Sequence, residues 1–262
     1  MEEDIIREIL SSKKYKDIEI EFLRNIYNIE KSKYNNEKLI IKSVKRKLHQ
    51  VYGSFLNPKI FDRLKVYLEE LTQDNLIDTC KNILSLHTST KERIDFYPYI
   101  YEQIFSNIPK PKSILDVACG LNPFSIPFMN IERKIHYFAL DINSSLIELI
   151  NNFLLKLGLQ PKAKVYDVMY HPIDIQVDLA FIFKFIPVLD KLRKDYMLEF
   201  IRNIPSYYIV VSFPLKSLTG KTKGMEEHYN EKYISKLRNN FLFIHEFSIS
   251  NEKFIIIKKE DG

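Results

Sequence analysis

Apolar residues recur at helical spacing through roughly the first hundred positions of the chain. Ile5, Ile6 and Ile9 begin this pattern, and Phe22 with Leu23 continue it. The pattern predicts helices near residues 5–10, 22–27, 39–52, 60–71, 74–86 and 91–106. We therefore expect an α-helical N-terminal domain over residues 1–108.

The pattern changes after the proline-containing segment 108–112, where short apolar runs alternate with helical segments. Strands are predicted at 114–118, 135–141, 163–167, 177–183 and 207–213, and helices at 144–157, 190–203 and 225–239. Two final apolar segments, 241–247 and 254–258, predict a closing antiparallel pair. Such alternation is typical of a doubly wound, mostly parallel α/β sheet, which we expect over residues 109–262.

Composition constrains the partner only mildly. The chain has 39 Lys and Arg against 34 Asp and Glu, a formal charge of +5 that permits a polyanionic partner without requiring one. Cys80 and Cys119 lie far apart and match no metal-ligand spacing, so we expect reduced thiols and no bound metal. No apolar run approaches the roughly 18 residues that span a membrane. With an acidic start that carries no secretory pattern, we expect a cytoplasmic protein without a membrane partner.

The first predicted strand ends in Asp116 and runs into a small-residue turn, Ala118-Cys119-Gly120. An acid followed by such a turn suits a nucleotide-type ligand at the carboxyl edge of an open α/β sheet. The usual turn for S-adenosylmethionine has three glycines spaced two apart, and here those positions are Ala118, Gly120 and Asn122. Asn tolerates a positive φ, so the turn still fits this ligand. The alternative is an ordinary strand-to-helix turn.

Two further acids lie at predicted strand ends. Asp141 closes the second strand, where a carboxylate can accept both ribose hydroxyls of a nucleoside cofactor. Asp167 ends the third strand, where an acid can accept from an adenine amino group. Asp141 could instead be a charge at a helix start, and Asp167 a simple loop carboxylate.

Basic residues occur near the same predicted edge and in the helical region. Lys184 interrupts an apolar run after the fourth strand, either at an active-site rim or as a lysine that extends to solvent. Lys42, Lys45 and Arg46 share one helical face, which can follow phosphates or can simply be solvated. A second basic segment, 216–224, follows the fifth strand. Two basic elements beside one cofactor site favour a nucleic-acid substrate.

Several short stretches, in order along nearly the whole chain, match one enzyme family. They are 47–50 (KLHQ), 86–93 (LHTSTKER), 115–123 (LDVACGLNP), 183–184 (FK), 211–214 (VSFP), 216–218 (KSL) and 223–226 (KGME). On these residues the chain resembles the aminoglycoside-resistance 16S ribosomal RNA methyltransferases of the Arm and Rmt type, which modify N7 of guanine 1405. The resemblance implies a Rossmann-like class I S-adenosylmethionine-dependent methyltransferase fold preceded by helices that bind ribosomal RNA.

The resemblance also implies which residues form the site. The implied cofactor-binding residues are Phe55, His87, Thr88, Ser89, Arg93, Ala118, Gly120, Asp141, Asp167, Val168 and Phe183. The implied RNA-binding residues are Lys42, Lys45, Arg46, Lys184, Asp190, Lys221, Lys223, Met225 and Glu226. Lys184 and Asp167 are the expected catalytic residues. Asp190 stands where the family carries Glu.

The implied reaction is methylation of N7 of guanine 1405 in 16S rRNA of the 30S subunit. S-adenosyl-L-methionine is the expected cofactor, S-adenosyl-L-homocysteine the expected product, and a monomer the expected form. Aminoglycoside resistance is the implied consequence. The alternatives are a non-catalytic RNA-binding protein that keeps a methyltransferase fold, and a methyltransferase for another rRNA base.

Overall fold

The computed structural model describes residues 2–52, 58–132, 134–215 and 229–259. The α-helices are α1 Glu2–Leu10, α2 Ile20–Lys31, α3 Glu37–Tyr52, α4 Pro58–Glu69, α5 Leu76–Leu84, α6 Thr88–Lys91, α7 Tyr97–Ser106, α8 Ser144–Lys156, α9 Ile186–Leu192, α10 Met197–Asn203 and α11 Ser235–Asn240. The strands are β1 Ser113–Val117, β2 His136–Asp141, β3 Lys162–Val165, β4 Val177–Phe183, β5 Ser206–Pro214, β6 Leu242–Ile249 and β7 Glu252–Lys258. Within the described residues, no helix is both long and apolar enough to cross a bilayer.

The strands form one sheet with the order β3-β2-β1-β4-β5-β7-β6. Strands β1 to β5 pair in parallel, while β7 is antiparallel to both β5 and β6. The predicted doubly wound sheet with a closing antiparallel hairpin is therefore confirmed. Because β1 to β4 are parallel, their carboxyl ends lie at one edge, where open α/β sheets bind their ligands.

Alternating side chains of the central strands serve two cores, one on each face of the sheet. Leu115 and Val117 of β1 pack with α1 to α3, α9, α10 and α11 on one face. Ile114 of the same strand packs with α4, α5, α7 and α8 on the other. The first helices of the chain thus cover both faces of the sheet.

Three predicted helices differ from the structure, and local backbone geometry divides two of them. The predicted helix 190–203 is two helices, α9 and α10, and Asp195 between them has a φ of 59° that a continuing helix excludes. The predicted helix 91–106 is also divided: α6 ends at Lys91, and α7 begins at Tyr97 with Pro98 in its first turn. The predicted helix 225–239 contains a π-helix, Asn230–Ile234, before α11, and its first residues lie outside the described part.

Candidate functional site

The turn after β1 brings the carboxyl ends of β1 and β2 together. Ala118 and Gly120 both have a φ of 50°, a conformation that is unusual for alanine and easy for glycine. The Gly120 N–H donates to Asp141 Oδ2 at 3.0 Å, which links the turn to the end of β2. Asn122 does not take the positive φ expected of it, because it begins a 3₁₀-helix, Asn122–Phe128.

Asn122 instead closes the turn through its side chain. Its Nδ2 donates to Asp116 Oδ2 at 2.9 Å, and the Tyr137 hydroxyl donates to the same oxygen at 2.7 Å. Burial raises the pKa of Asp116 to about 7 despite these two donors. Asp116 therefore stabilises the turn from within β1. Asp141, the last residue of β2, is the acid nearer to the carboxyl edge of the sheet.

Asp141 is a buried carboxylate held by backbone donors. Oδ1 accepts from the Asn143 N–H at 3.1 Å, in addition to the Gly120 contact at Oδ2. Burial raises the pKa of Asp141, and these backbone hydrogen bonds oppose the rise. Each carboxylate oxygen has more than one acceptor site, so Asp141 can still accept from ribose hydroxyls.

Asp167 lies just beyond β3 and is 2% exposed. Its Oδ1 accepts from the Met169 N–H at 3.0 Å, and its Oδ2 accepts from Asn25 Nδ2 at 3.4 Å. Val168 beside it is buried and contributes apolar surface. The acid predicted at the end of the third strand therefore lies in the loop after it, next to α2.

His87 directly precedes α6, and Thr88 and Ser89 form the first turn of that helix. The Nδ1 atom of His87 and the Ser89 hydroxyl are hydrogen-bonded at 2.7 Å. Burial, together with the positive charges of Arg93 and Lys184, lowers the pKa of His87 to about 4. The imidazole is therefore neutral at physiological pH.

Arg93 is 3% exposed and forms a fork-to-fork pair with Glu252. Nε lies 2.8 Å from Oε2 and Nη2 lies 2.6 Å from Oε1. The guanidinium also lies over the ring of Phe183, 4.8 Å from its centroid. Arginine has five N–H donors, so three lie outside this pair, and the hydroxyl of the buried Tyr97 also interacts with the guanidinium.

Lys184 follows β4 in the left-handed region, with a φ of 55°. Its N–H contacts both the carbonyl oxygen and the hydroxyl of Ser212, at 3.2 and 3.0 Å, which holds this uncommon backbone. Nζ lies 2.6 Å from Glu92 Oε2 and 3.2 Å from Glu252 Oε2. Because its side chain is 14% exposed and paired with two acids, Lys184 does not simply extend into solvent.

Glu92, Arg93, Lys184 and Glu252 thus form one group, which we call the Glu252 cluster. Glu252 was missed by sequence reasoning, since a lone glutamate before an apolar strand looks like an ordinary turn residue. It is 2% exposed, and the charges of Arg93 and Lys184 overcome the effect of its burial and lower its pKa. Pairing of β7 with β5 sets Glu252 opposite Pro214 and so brings it to the site.

The RNA-binding candidates lie in three different settings. Lys42 and Arg46 are exposed on α3, and the partly exposed Lys45 pairs with Glu8 at 3.1 Å. Asp190 lies on α9, and its Oδ2 accepts from Lys232 Nζ at 2.6 Å. Five predicted residues lie outside the described part of the chain: Phe55, Lys221, Lys223, Met225 and Glu226.

The residues at this edge fit S-adenosylmethionine chemically. Asp141 and Asp167 offer acceptors for hydroxyl and amino groups, and Arg93 offers donors for a carboxylate. The amide oxygen of Asn122, in the turn itself, is buried and has no hydrogen-bond partner among the described residues, which leaves one further acceptor. Within those residues, no group of three His, Cys, Asp or Glu side chains could hold a metal ion.

The amino-acid sequence is similar to those of known proteins. The chain is 32% identical, over 84% of its length and 82% of the relative's, to a 16S rRNA (guanine(1405)-N(7))-methyltransferase of Micromonospora echinospora. It is 31% identical, over 98% of both chains, to the enzyme of the same name from Serratia marcescens.

The fold has a close counterpart among solved structures. The 16S rRNA methyltransferase RmtF, solved in complex with S-adenosyl-L-homocysteine, superposes with a TM-score of 0.86 over 99% of this chain and 98% of that one, at 24% identity. A family profile described as ribosomal RNA methyltransferase (FmrO) matches residues 11–257. The chain belongs to the FmrO family of ribosomal RNA methyltransferases.

Proposed function

We propose that this protein transfers a methyl group from S-adenosyl-L-methionine to N7 of guanine 1405 in 16S rRNA. The observation that carries the proposal is the shared carboxylate of Glu252. Arg93, a cofactor-binding candidate, and Lys184, a target-RNA candidate, both contact it, at 2.6 and 3.2 Å. A site that joins these two residues through one carboxylate can hold the cofactor and the target nucleotide in a fixed relative position.

The cofactor supplies an electrophilic methyl group on a sulfonium centre, and S-adenosyl-L-homocysteine is left as product. Asp141 accepts from the ribose hydroxyls, Asp167 from the adenine amino group, and Arg93 binds the carboxylate. Neutral His87, with Thr88 and Ser89, lines the same edge. Ala118 and Gly120 allow the backbone to approach closely, and Val168 and Phe183 supply apolar walls.

Guanine N7 explains why the site needs no general base. N7 has an in-plane lone pair and carries no proton, so nothing has to be removed before it attacks. Catalysis then depends on alignment, which positioned groups supply. Lys184 is the residue we assign to holding the target nucleotide, through a phosphate or the guanine edge.

The substrate is 16S rRNA within the 30S subunit, and the helical N-terminal region, residues 1–108, serves as its binding domain. Lys42, Lys45 and Arg46 contact phosphates there. The protein acts as a monomer in the cytoplasm. A methylated N7 leaves the guanine ring positively charged and without one acceptor. A polycationic aminoglycoside then meets repulsion and a missing hydrogen bond, so resistance follows.

Primer extension on modified RNA tests the proposal directly. Purified 30S subunits are incubated with the protein and S-adenosyl-L-methionine, and their RNA is then cleaved by chemistry specific for 7-methylguanine. We expect one new stop, at guanine 1405, that requires the cofactor. A stop at another base would indicate a different rRNA target, and no stop, with intact 30S binding, would favour a non-catalytic RNA-binding protein.

A further inference from the structure

The N-terminal chain reaches the cofactor edge before its first long helix begins. Ile18 forms a β-bridge with Asn143, the Glu19 N–H donates to the Ile142 carbonyl at 2.8 Å, and the Ser144 N–H donates to the Asp17 carbonyl at 2.8 Å. These contacts lie on the segment directly after Asp141. The region proposed to bind RNA is therefore joined by its backbone to the region proposed to bind the cofactor.

Helix α2 continues from this junction and places one side chain against the second acid. Its buried residues Phe22, Leu23 and Ile26 pack in the same core as β1, which fixes the rotation of the helix. Asn25, at the border of that buried face, is only partly exposed. Its Nδ2 lies 3.4 Å from Asp167 Oδ2.

The two oxygens of Asp167 are held by different parts of the chain. The Met169 N–H fixes Oδ1 from within the same loop. Among the described residues, the side-chain hydrogen bond to Oδ2 comes from Asn25, 142 positions away in sequence. A carboxylate that is 2% exposed needs such donors, because burial disfavours its charge.

We propose that Asn25 is a positioning residue for the cofactor: it holds the Asp167 carboxylate in the orientation that accepts from the adenine amino group. This inference rests on the proposed function, which assigns that amino group to Asp167. The packing of α2 against the sheet would then contribute to cofactor binding. Asn25 acts through Asp167 and is not itself a catalytic residue.

The test combines a protein variant with a ligand variant. Calorimetry on the full-length protein compares S-adenosyl-L-homocysteine with its 6-deamino analogue, in which hydrogen replaces the adenine amino group. The wild-type protein should bind S-adenosyl-L-homocysteine at least about 10-fold more tightly, as expected for a hydrogen bond to a charged group. Asn25→Ala should lower the affinity for S-adenosyl-L-homocysteine by about 5-fold. It should leave the affinity for the analogue unchanged, since the analogue has no amino group that Asp167 could bind.

Two further variants separate positioning from a general structural role. Asn25→Gln keeps an amide and should retain part of the discrimination between the two ligands. Asn28→Ala makes the same truncation at an exposed position of α2 and should alter neither affinity. Thermal unfolding of each variant shows whether α2 remains folded and docked.

The outcomes distinguish this inference from the proposed function. If the wild type binds both ligands equally, the amino group is not recognised, and the assignment of Asp167 fails together with the inference. If the wild type binds the two ligands with different affinities, but Asn25→Ala lowers both affinities equally or lowers neither, only the role of Asn25 is overturned. Selective weakening of S-adenosyl-L-homocysteine supports both.

Discussion

Two groups of basic side chains in this molecule lie in opposite environments. Arg93 and Lys184 of the Glu252 cluster are 3% and 14% exposed, and each meets a carboxylate within 2.6 Å. Lys42, Lys45 and Arg46 on α3 lie at the surface, and of the three only Lys45 forms an ion pair with an acid among the described residues, with Glu8. The first group is fixed in position by buried ion pairs, and the second lies at the surface with few ionic partners.

Buried and exposed charges differ in the electrostatic role they can have. A buried charge has few alternative positions because its partners replace the water it has lost, so it can align a reacting group. Exposed charges are mobile and screened by salt, so they attract a polyanion without fixing one geometry. We therefore expect the Glu252 cluster to govern stability and rate, and the α3 residues to govern affinity for RNA.

The largest expected effect comes from removing the shared acid. Glu252→Ala leaves the buried Arg93 without its carboxylate partner, whereas Lys184 keeps Glu92. Breaking a buried pair in this way costs ~3–5 kcal/mol in the free energy of unfolding. Chemical denaturation measures it. Glu246→Ala is the matched control, because Glu246 pairs with the exposed Arg238 at 2.8 Å and such surface pairs contribute at most ~1 kcal/mol. Equal losses for both variants would contradict the contrast between buried and exposed charge.

Removal of Lys184 should affect the reaction rate more than binding. In Lys184→Ala, Glu252 keeps its pair with Arg93, so cofactor affinity should stay near the wild-type value and 30S affinity should fall only modestly. The single-turnover methylation rate should fall by ~100-fold, since a misplaced nucleophile loses most of the benefit of alignment. Aminoglycoside resistance should fall with it. A wild-type rate in this variant would remove Lys184 from the mechanism.

Asp141 tests a buried charge outside the Glu252 cluster. It is held by backbone N–H groups instead of by a cation, so its contribution to binding is that of hydrogen bonds to a charged acceptor. Asp141→Ala should reduce the binding free energy of S-adenosyl-L-methionine by ~1–3 kcal/mol, as measured by calorimetry. Asp174→Ala, an exposed acid between β3 and β4, is the control and should leave that affinity unchanged. An unaltered affinity in Asp141→Ala would place the cofactor elsewhere.

The smallest effect per residue is expected on α3. Combined replacement of Lys42, Lys45 and Arg46 by Ala should weaken 30S binding and reduce its salt slope by up to ~3, about one for each lost phosphate contact. Cofactor affinity should not change. A titration of 30S binding against salt concentration measures the slope.

A charge-matched control makes this test specific to the helix face. Lys65, Lys81 and Lys156 are exposed on α4, α5 and α8, which cover the opposite face of the sheet. Their combined replacement by Ala changes the net charge equally and should leave most of the 30S affinity intact. If both triple variants lose affinity and salt slope equally, α3 contributes only net charge and is not a specific contact surface.

Much of the fold follows from local sequence signals. The apolar run predicted as the fourth strand coincides with β4, Val177–Phe183, because a strand buried on both faces is a continuous apolar segment. The helix predicted at 144–157 is α8, whose start is marked by Asn143 accepting from the Leu146 N–H. The helices that were predicted too long fail where a proline or a left-handed residue interrupts the backbone, as at Asp195.

The position of Asp141 at the sheet edge was also predictable, because parallel strands place their carboxyl ends at one edge whatever lies around them. Asp141 ends β2, so its position follows from strand order alone. The role of Asn122 could not be predicted in the same way. Asn122 begins a 3₁₀-helix and donates its side-chain amide to Asp116, and neither feature follows from the spacing of the turn residues.

Only the tertiary structure determined which charges meet. Arg93 and Glu252 are 159 positions apart, and no local pattern relates them. They pair because β7 inserts antiparallel beside β5 and carries Glu252 to the same edge as Lys184. Sequence determines secondary structure where the signal is local. The partner of a buried charge depends on which chain segments exclude water from it, and the complete fold alone decides that.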